Sequence, residues 1–118
     1  EDPVLPWNNY GWSKLGAESA VQMYKNSLIV RACMTEKPFT HKFAFKDVKT
    51  NFIFHKEFAE IFLKIINFKG VINIGGKTQT IYNFARKYNK SVKKIQSKGA
   101  LPKNMYMNLK KLKKLLKK

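Results

Sequence analysis

Ser27-Leu28-Ile29-Val30-Arg31-Ala32 and Gly70-Val71-Ile72-Asn73-Ile74-Gly75-Gly76 are the two stretches on which the fold turns. Each is a short, nearly continuous apolar run rather than an alternating one, the pattern of a strand covered on both faces in a parallel sheet. Helical signals surround them. Upstream, Asn8 or Asn9 is a candidate N-cap for a helix to about Lys25, with Trp12, Leu15, Gly16, Ser19, Ala20 and Met23 on the face expected to pack inward. Between the runs, Phe52-Ile53-Phe54 reads as a short strand, and Phe58, Ile61, Phe62, Ile65 and Ile66 recur at helical spacing from about Lys56 to Asn67. Downstream, Gly75 and Gly76 turn the chain, and Thr78 or Thr80 caps a helix with Ile81, Phe84, Ala85 and Tyr88 on one face. The predicted fold class is therefore α/β.

The remaining segments are less patterned. Cys33 to Asn51 has no clear period and contains Pro38, so an irregular excursion is expected there. A weaker strand follows around Val92 to Ile95, then a loop through Gly99 and Pro102, and a terminal helix. Strand, glycines, Lys77 and Thr78 ahead of a helix imitate a phosphate-binding loop, but the spacing fails. Five residues separate Gly70 from Gly76 where that loop requires four before its Gly-Lys pair, and four of the five belong to the strand.

Composition narrows the function classes. The 118 residues suffice for one small core, so residues 1–118 are expected to form a single domain or part of one. Apolar runs are too short for a membrane span, and Glu1-Asp2 followed by prolines is unlike a secretory signal, so a cytoplasmic protein with no membrane partner is expected. Cys33 is the single cysteine and reads as a buried thiol; His41 and His55 have no carboxylate or cysteine at ligand spacing, so no metal is expected. The formal charge of +17 would by itself point towards nucleic acid. Only Arg31 and Arg86 are arginine, however, and the lysine excess travels with many Asn, Ile and Phe, as an AT-rich coding sequence produces. The expectation is no nucleic-acid partner. The basic, leucine-bearing tail from Leu109 to Lys118 is read as a helix packed on the domain rather than on a membrane surface.

Tyr10 and Lys14, four residues apart on the first helix, point the same way. A lysine ammonium about 5 Å from a phenol, at an effective dielectric near 20, favours the phenolate by on the order of 3 kcal/mol. That pairing suits proton transfer to a carbonyl oxygen.

The longer string Tyr10-Gly11-Trp12-Ser13-Lys14-Leu15-Gly16-Ala17-Glu18 resembles the active-site helix of the extended short-chain dehydrogenase/reductases, most closely the dTDP-4-dehydrorhamnose reductase branch. The resemblance continues through Gly70 to Gly76 and through Leu101-Pro102-Lys103-Asn104 to Met107-Asn108-Leu109, and so covers nearly the whole chain. Leu101 and Asn108 stand where that branch often carries an arginine and an aspartate, which bears on the substrate rather than the superfamily.

The resemblance implies an NAD(P)-dependent reductase of a 4-keto nucleotide-sugar, with an epimerase or dehydratase and a non-catalytic binding module of the same fold as the alternatives. Tyr10 would be the proton donor, and Lys14 would assist it and hydrogen-bond the nicotinamide ribose, so both would be catalytic and would contact NAD or NADP. Arg31, Lys103 and Asn104 are candidates for the nucleotide-linked sugar, although a structural hydrogen bond would equally explain Arg31. Ser13 is assigned no chemical step. In this family the motif lies well past the dinucleotide-binding glycines, and no G-x-G-x-x-G occurs in the chain. The expectation is therefore a carboxy-terminal fragment, inactive alone: residues 1–32 form the active-site helix and following strand of a Rossmann-like parallel sheet, and residues 33–118 the substrate-binding portion. The full-length protein leaves a homodimer open.

Overall fold

The computed structural model describes residues 9–37, 41–98 and 103–117. Its centre is the pair of apolar runs. β1 (Leu28–Ala32) and β6 (Gly70–Ile74) lie parallel, in a register from Leu28 opposite Gly70 to Ala32 opposite Ile74. A parallel neighbour in sequence requires a crossover, and α2 (His55–Ile65) lies within that connection. Its apolar positions recur at helical spacing, and Ile65 is buried with Ile53, Ile72 and Ile74 of the strands.

The segment between Cys33 and Asn51, expected to be irregular, contains three short strands among its described residues. β2 (Met34–Thr35) pairs parallel with β5 (Ile53–Phe54), β3 (Phe43–Phe45) parallel with β8 (Lys93–Ile95), and β4 (Lys49–Thr50) antiparallel with β7 (Gln79–Thr80). Their partners are far along the chain and two of the three are only two residues long, too short for any period to register. Burial there is nonetheless deep: Val48, Thr50 and Asn51 are almost wholly inaccessible. Cys33, expected to be buried, is half-buried, with Sγ 3.0 Å from Thr50 Oγ1.

Two cores result, and strand alternation explains how one element serves both. Successive side chains of a strand point to opposite faces, so Ile53 joins the β6 cluster while Phe54 joins Ala44, Phe84, Ala85 and Val92. The second core is aromatic: Phe54 meets Phe84 at 5.3 Å and Tyr88 edge-on at 4.7 Å between ring centroids. Phe84 and Ala85 come from α3 (Ile81–Tyr88), whose N-cap is Thr80, its hydroxyl accepting from the Asn83 N–H at 3.1 Å.

Asn51 joins the two halves of this arrangement. Its amide donates to Gly76 O at 2.8 Å and Thr78 Oγ1 at 2.7 Å, while its Oδ1 accepts from the Met107 N–H at 2.7 Å. The Asn51 carbonyl also accepts from Gly76 N–H at 2.8 Å. Backbone approaches so closely here that a Cβ at Gly76 would lie 2.5 Å from Phe52 O, and one at Gly75 2.8 Å from Asn51 O. Close approach, not a left-handed turn, requires these glycines.

The tail packs as expected. α4 (Lys110–Leu116) buries Leu112 in the β6 cluster, and Lys111 Nζ donates to Val71 O at 2.7 Å while lying over the Phe68 ring. Among the described residues no helix is long and apolar enough to cross a membrane. A further tie closes the 45–97 region: Asp47 accepts from the Ser97 N–H at 3.0 Å and from its hydroxyl at 2.8 Å. The hydroxyl bond above all, with the backbone N–H and the nearby Lys103 ammonium, outweighs partial desolvation and lowers the Asp47 carboxyl pKa.

Replacing Asn51 with Ala removes three side-chain hydrogen bonds and strips the Met107 N–H of its acceptor, so urea denaturation should report a loss of about 3 kcal/mol. Unchanged stability would remove Asn51 from its joining role. For Asp47, a depressed folded-state pKa means its contribution is complete above the unfolded value of about 3.9 and is lost as pH falls through the folded value. Melting temperatures of the parent and Asp47→Asn proteins should therefore differ at neutral pH and converge in strong acid; a gap that persists at low pH would assign the effect to something other than the carboxylate.

Candidate active site

α1 (Asn9–Val21) carries the Tyr-Lys pair. It ends at Val21, one turn before the expected Lys25, and Asn9 is its first residue rather than its cap; Asn8 lies outside the described residues. Lys14 Nζ stands over the Tyr10 ring, 5.3 Å from its centroid, as i,i+4 spacing allows. Ser13 Oγ donates to the Tyr10 carbonyl at 2.7 Å, a local helical bond that leaves the tyrosine hydroxyl to other partners.

Of the face of α1 expected to pack inward, Leu15 is partly covered, whereas Trp12, Gly16, Ser19, Ala20 and Met23 are exposed. Trp12 and Met23 are 58% and 82% exposed, and a Cβ at Gly16 would meet nothing within 4 Å. Its more covered side runs through Gly11, Leu15 and Glu18, and no α1 residue is fully buried. Small residues at helical spacing signalled close packing, but spacing alone cannot say which side of a helix receives a neighbour.

What ties α1 to the sheet is an ion pair. Arg31 Nε and one terminal nitrogen bond the two Glu18 carboxylate oxygens at 3.0 and 2.9 Å, a bidentate fork with both side chains about 85% covered (16% and 14% exposed). Arg31, for which the sequence offered a substrate contact or a structural hydrogen bond, makes this structural bond and also borders the groove beside β1. Glu18, the last residue of the Tyr-Gly-x-Ser-Lys-Leu-Gly-x-Glu string, drew no assignment from sequence. Its partner is in the next element, thirteen residues on, and no local pattern announces it.

Between α1 and β1 lies a groove of about 540 Å³. Tyr10, Lys14, Ala17, Glu18 and Val21 form its helical wall, all five residues of β1 border it, and Met34 and Phe58 complete it. The pair therefore borders a hollow that runs the length of β1. Lys103 and Asn104 do not border this groove. Their backbone runs beside β4 instead: Lys103 O accepts from Lys49 N–H at 2.8 Å, Asn104 forms an isolated parallel bridge with Lys49, and Asn104 Oδ1 accepts from Tyr106 N–H at 3.3 Å.

No protein-family model matches the chain, and no curated protein matches it. Its fold is similar to the crystal structure of a hypothetical dTDP-4-dehydrorhamnose reductase from Sulfolobus tokodaii, with a TM-score of 0.78 at 23% identity over 97% of this chain. The chain spans 50% of the length of that protein. An α/β, Rossmann-like architecture is thereby shared with half of a reductase chain.

Arg31→Met should leave the Glu18 carboxylate without its fork and loosen α1. Hydrogen exchange of α1 amides should quicken at least about tenfold, since a partner's loss from a covered pair exceeds 1.4 kcal/mol, while β1 and β6 amides hold. Equal exchange in both proteins would mean that another contact holds the helix.

Proposed function

We propose that this chain is the proton-transfer and substrate-side portion of an NAD(P)-dependent reductase acting on a 4-keto nucleotide-sugar. The observation that carries this reading is the placement of Tyr10 and Lys14 on one wall of the groove beside β1, with the ammonium over the phenol ring. The string from Tyr10 to Glu18 and the fold similarity to half of a reductase chain add support. Residues 1–32 would carry the proton-transfer helix and its strand, and residues 33–118 the substrate side.

A phenol and an ammonium bordering the same hollow fit a nicotinamide riboside: one offers a proton to a carbonyl oxygen, the other a hydrogen bond to a ribose hydroxyl. When bound, the reduced cofactor supplies the hydride. Tyr10 then gives its hydroxyl proton to the carbonyl oxygen as negative charge develops there, and Lys14 stabilises the phenolate left behind. The Glu18–Arg31 fork serves this step indirectly by holding α1, and thus the phenol, against the strand that borders the hollow. Exposure of Tyr10 to 70% means that water must be displaced before the charges act at full strength.

In the complete gene product, Tyr10→Phe should lower kcat for reduction of a dTDP-4-keto-sugar by about a thousandfold, in the range of a lost general acid, with cofactor affinity within about twofold. Turnover that survives the substitution would sink the assignment of Tyr10, and absence of any keto-sugar reduction by the parent would sink the reductase reading.

A further inference from the structure

Two open hollows meet on another surface of the molecule. One, of about 600 Å³, is bordered by Lys49, Lys77, Arg86 and Lys87 where β4, β7 and α3 come together. The other, of about 690 Å³, is bordered by Lys77 again and by Lys110 and Lys113 of α4. Lys77 and Thr78 belong to both, so the hollows form one trough. Neither Tyr10 nor Lys14 borders it, and it stands independently of the reductase reading.

Composition alone accounts for many lysines; what distinguishes this surface is that five lysines and one arginine border one continuous hollow. None of the described acidic residues borders either hollow, and none of the six cations is ion-paired with a described carboxylate. Lys87 Nζ bonds a neutral group, Gln79 Oε1, at 3.0 Å. Arg86 is one of only two arginines in the chain; the other, Arg31, is held by Glu18. Tyr106, 60% exposed, borders the α4 end of the trough.

We propose that this trough binds a single-stranded nucleic acid, with the six cations following the phosphates and Tyr106 stacking on a base. An enclosed pocket would suit a small phosphorylated ligand, since such sites bury most of the ligand surface; an open, one-signed trough with an aromatic at its end suits an extended chain of phosphates carrying bases. Where the two hollows meet, Asn51 bonds the Gly76–Thr78 loop and the Met107 N–H.

The test is fluorescence anisotropy with a labelled mixed-sequence DNA 20-mer, with inorganic polyphosphate and anionic vesicles (phosphatidylserine and phosphatidylcholine) as separate ligands. Each phosphate contact contributes about 0.7 to the slope of log affinity against log salt for a single strand, so six cations predict a slope near about −4. Lys77→Ala with Arg86→Ala should reduce that slope by about 1.4 and weaken binding at least tenfold, whereas Lys56→Ala with Lys64→Ala on α2 should change it less than twofold. Tyr106→Ala should weaken the oligonucleotide and leave polyphosphate unaffected. Equal losses in the two double variants would assign binding to overall charge and overturn the trough. Indifference of the oligonucleotide to Tyr106→Ala would overturn the base contact, and vesicle binding without oligonucleotide binding would overturn the nucleic-acid assignment.

Discussion

One buried amide joins three separate segments of the fold. Asn51 satisfies a carbonyl, a hydroxyl and a backbone N–H from segments that also meet through backbone bonds, those of the β4–β7 pairing and of Lys49 with Lys103 and Met105 among them. A side chain with both donors and an acceptor can do this; an aliphatic of the same volume would leave the Met107 N–H and the Gly76 carbonyl without these partners in a dry interior, at the full cost of desolvation. The flanking glycines are a consequence. Bringing residues 75 and 76 close enough to bond Asn51 leaves no room for a Cβ against the 51–52 backbone.

Around that junction the chain sorts its work by the strength of attachment. β1, β6, α2 and α4 share one apolar cluster, and α3 with β3, β5 and Val92 share an aromatic one. α1, which carries the Tyr-Lys pair, buries no residue fully and is tied to the sheet through the Glu18–Arg31 fork. Burying an ion pair is costly and adds little net stability, but a bidentate fork fixes orientation better than an apolar contact does. The groove that Tyr10 and Lys14 face is thus set by electrostatic registration, and the sheet beneath it by hydrophobic burial.

Signals that depended on neighbours in sequence were legible. The two apolar runs appeared as parallel partners, α2 and α3 followed the spacing of their apolar residues, Thr80 capped α3, and Leu112 of the basic tail reached the core. Signals that depended on distant partners were not. Three two- or three-residue strands between Cys33 and Asn51 looked irregular because their pairing residues lie up to 50 positions away. Arg31 could be read from sequence as an anion ligand or a structural donor, because the sequence shows a cation at a strand end and not the Glu18 carboxylate opposite it.

By itself, the order of residues determined the α/β rhythm and the i,i+4 placement of Tyr10 and Lys14, because both follow from backbone periodicity. Tertiary structure alone decided which face of α1 meets the sheet, that Arg31 belongs to Glu18, that Lys103 and Asn104 lie away from the groove, and that Asn51 is the joint of the molecule. Those are contacts between surfaces whose identity depends on three-dimensional register. A helix repeats its chemistry every turn, but only the packed neighbour selects the side that is covered.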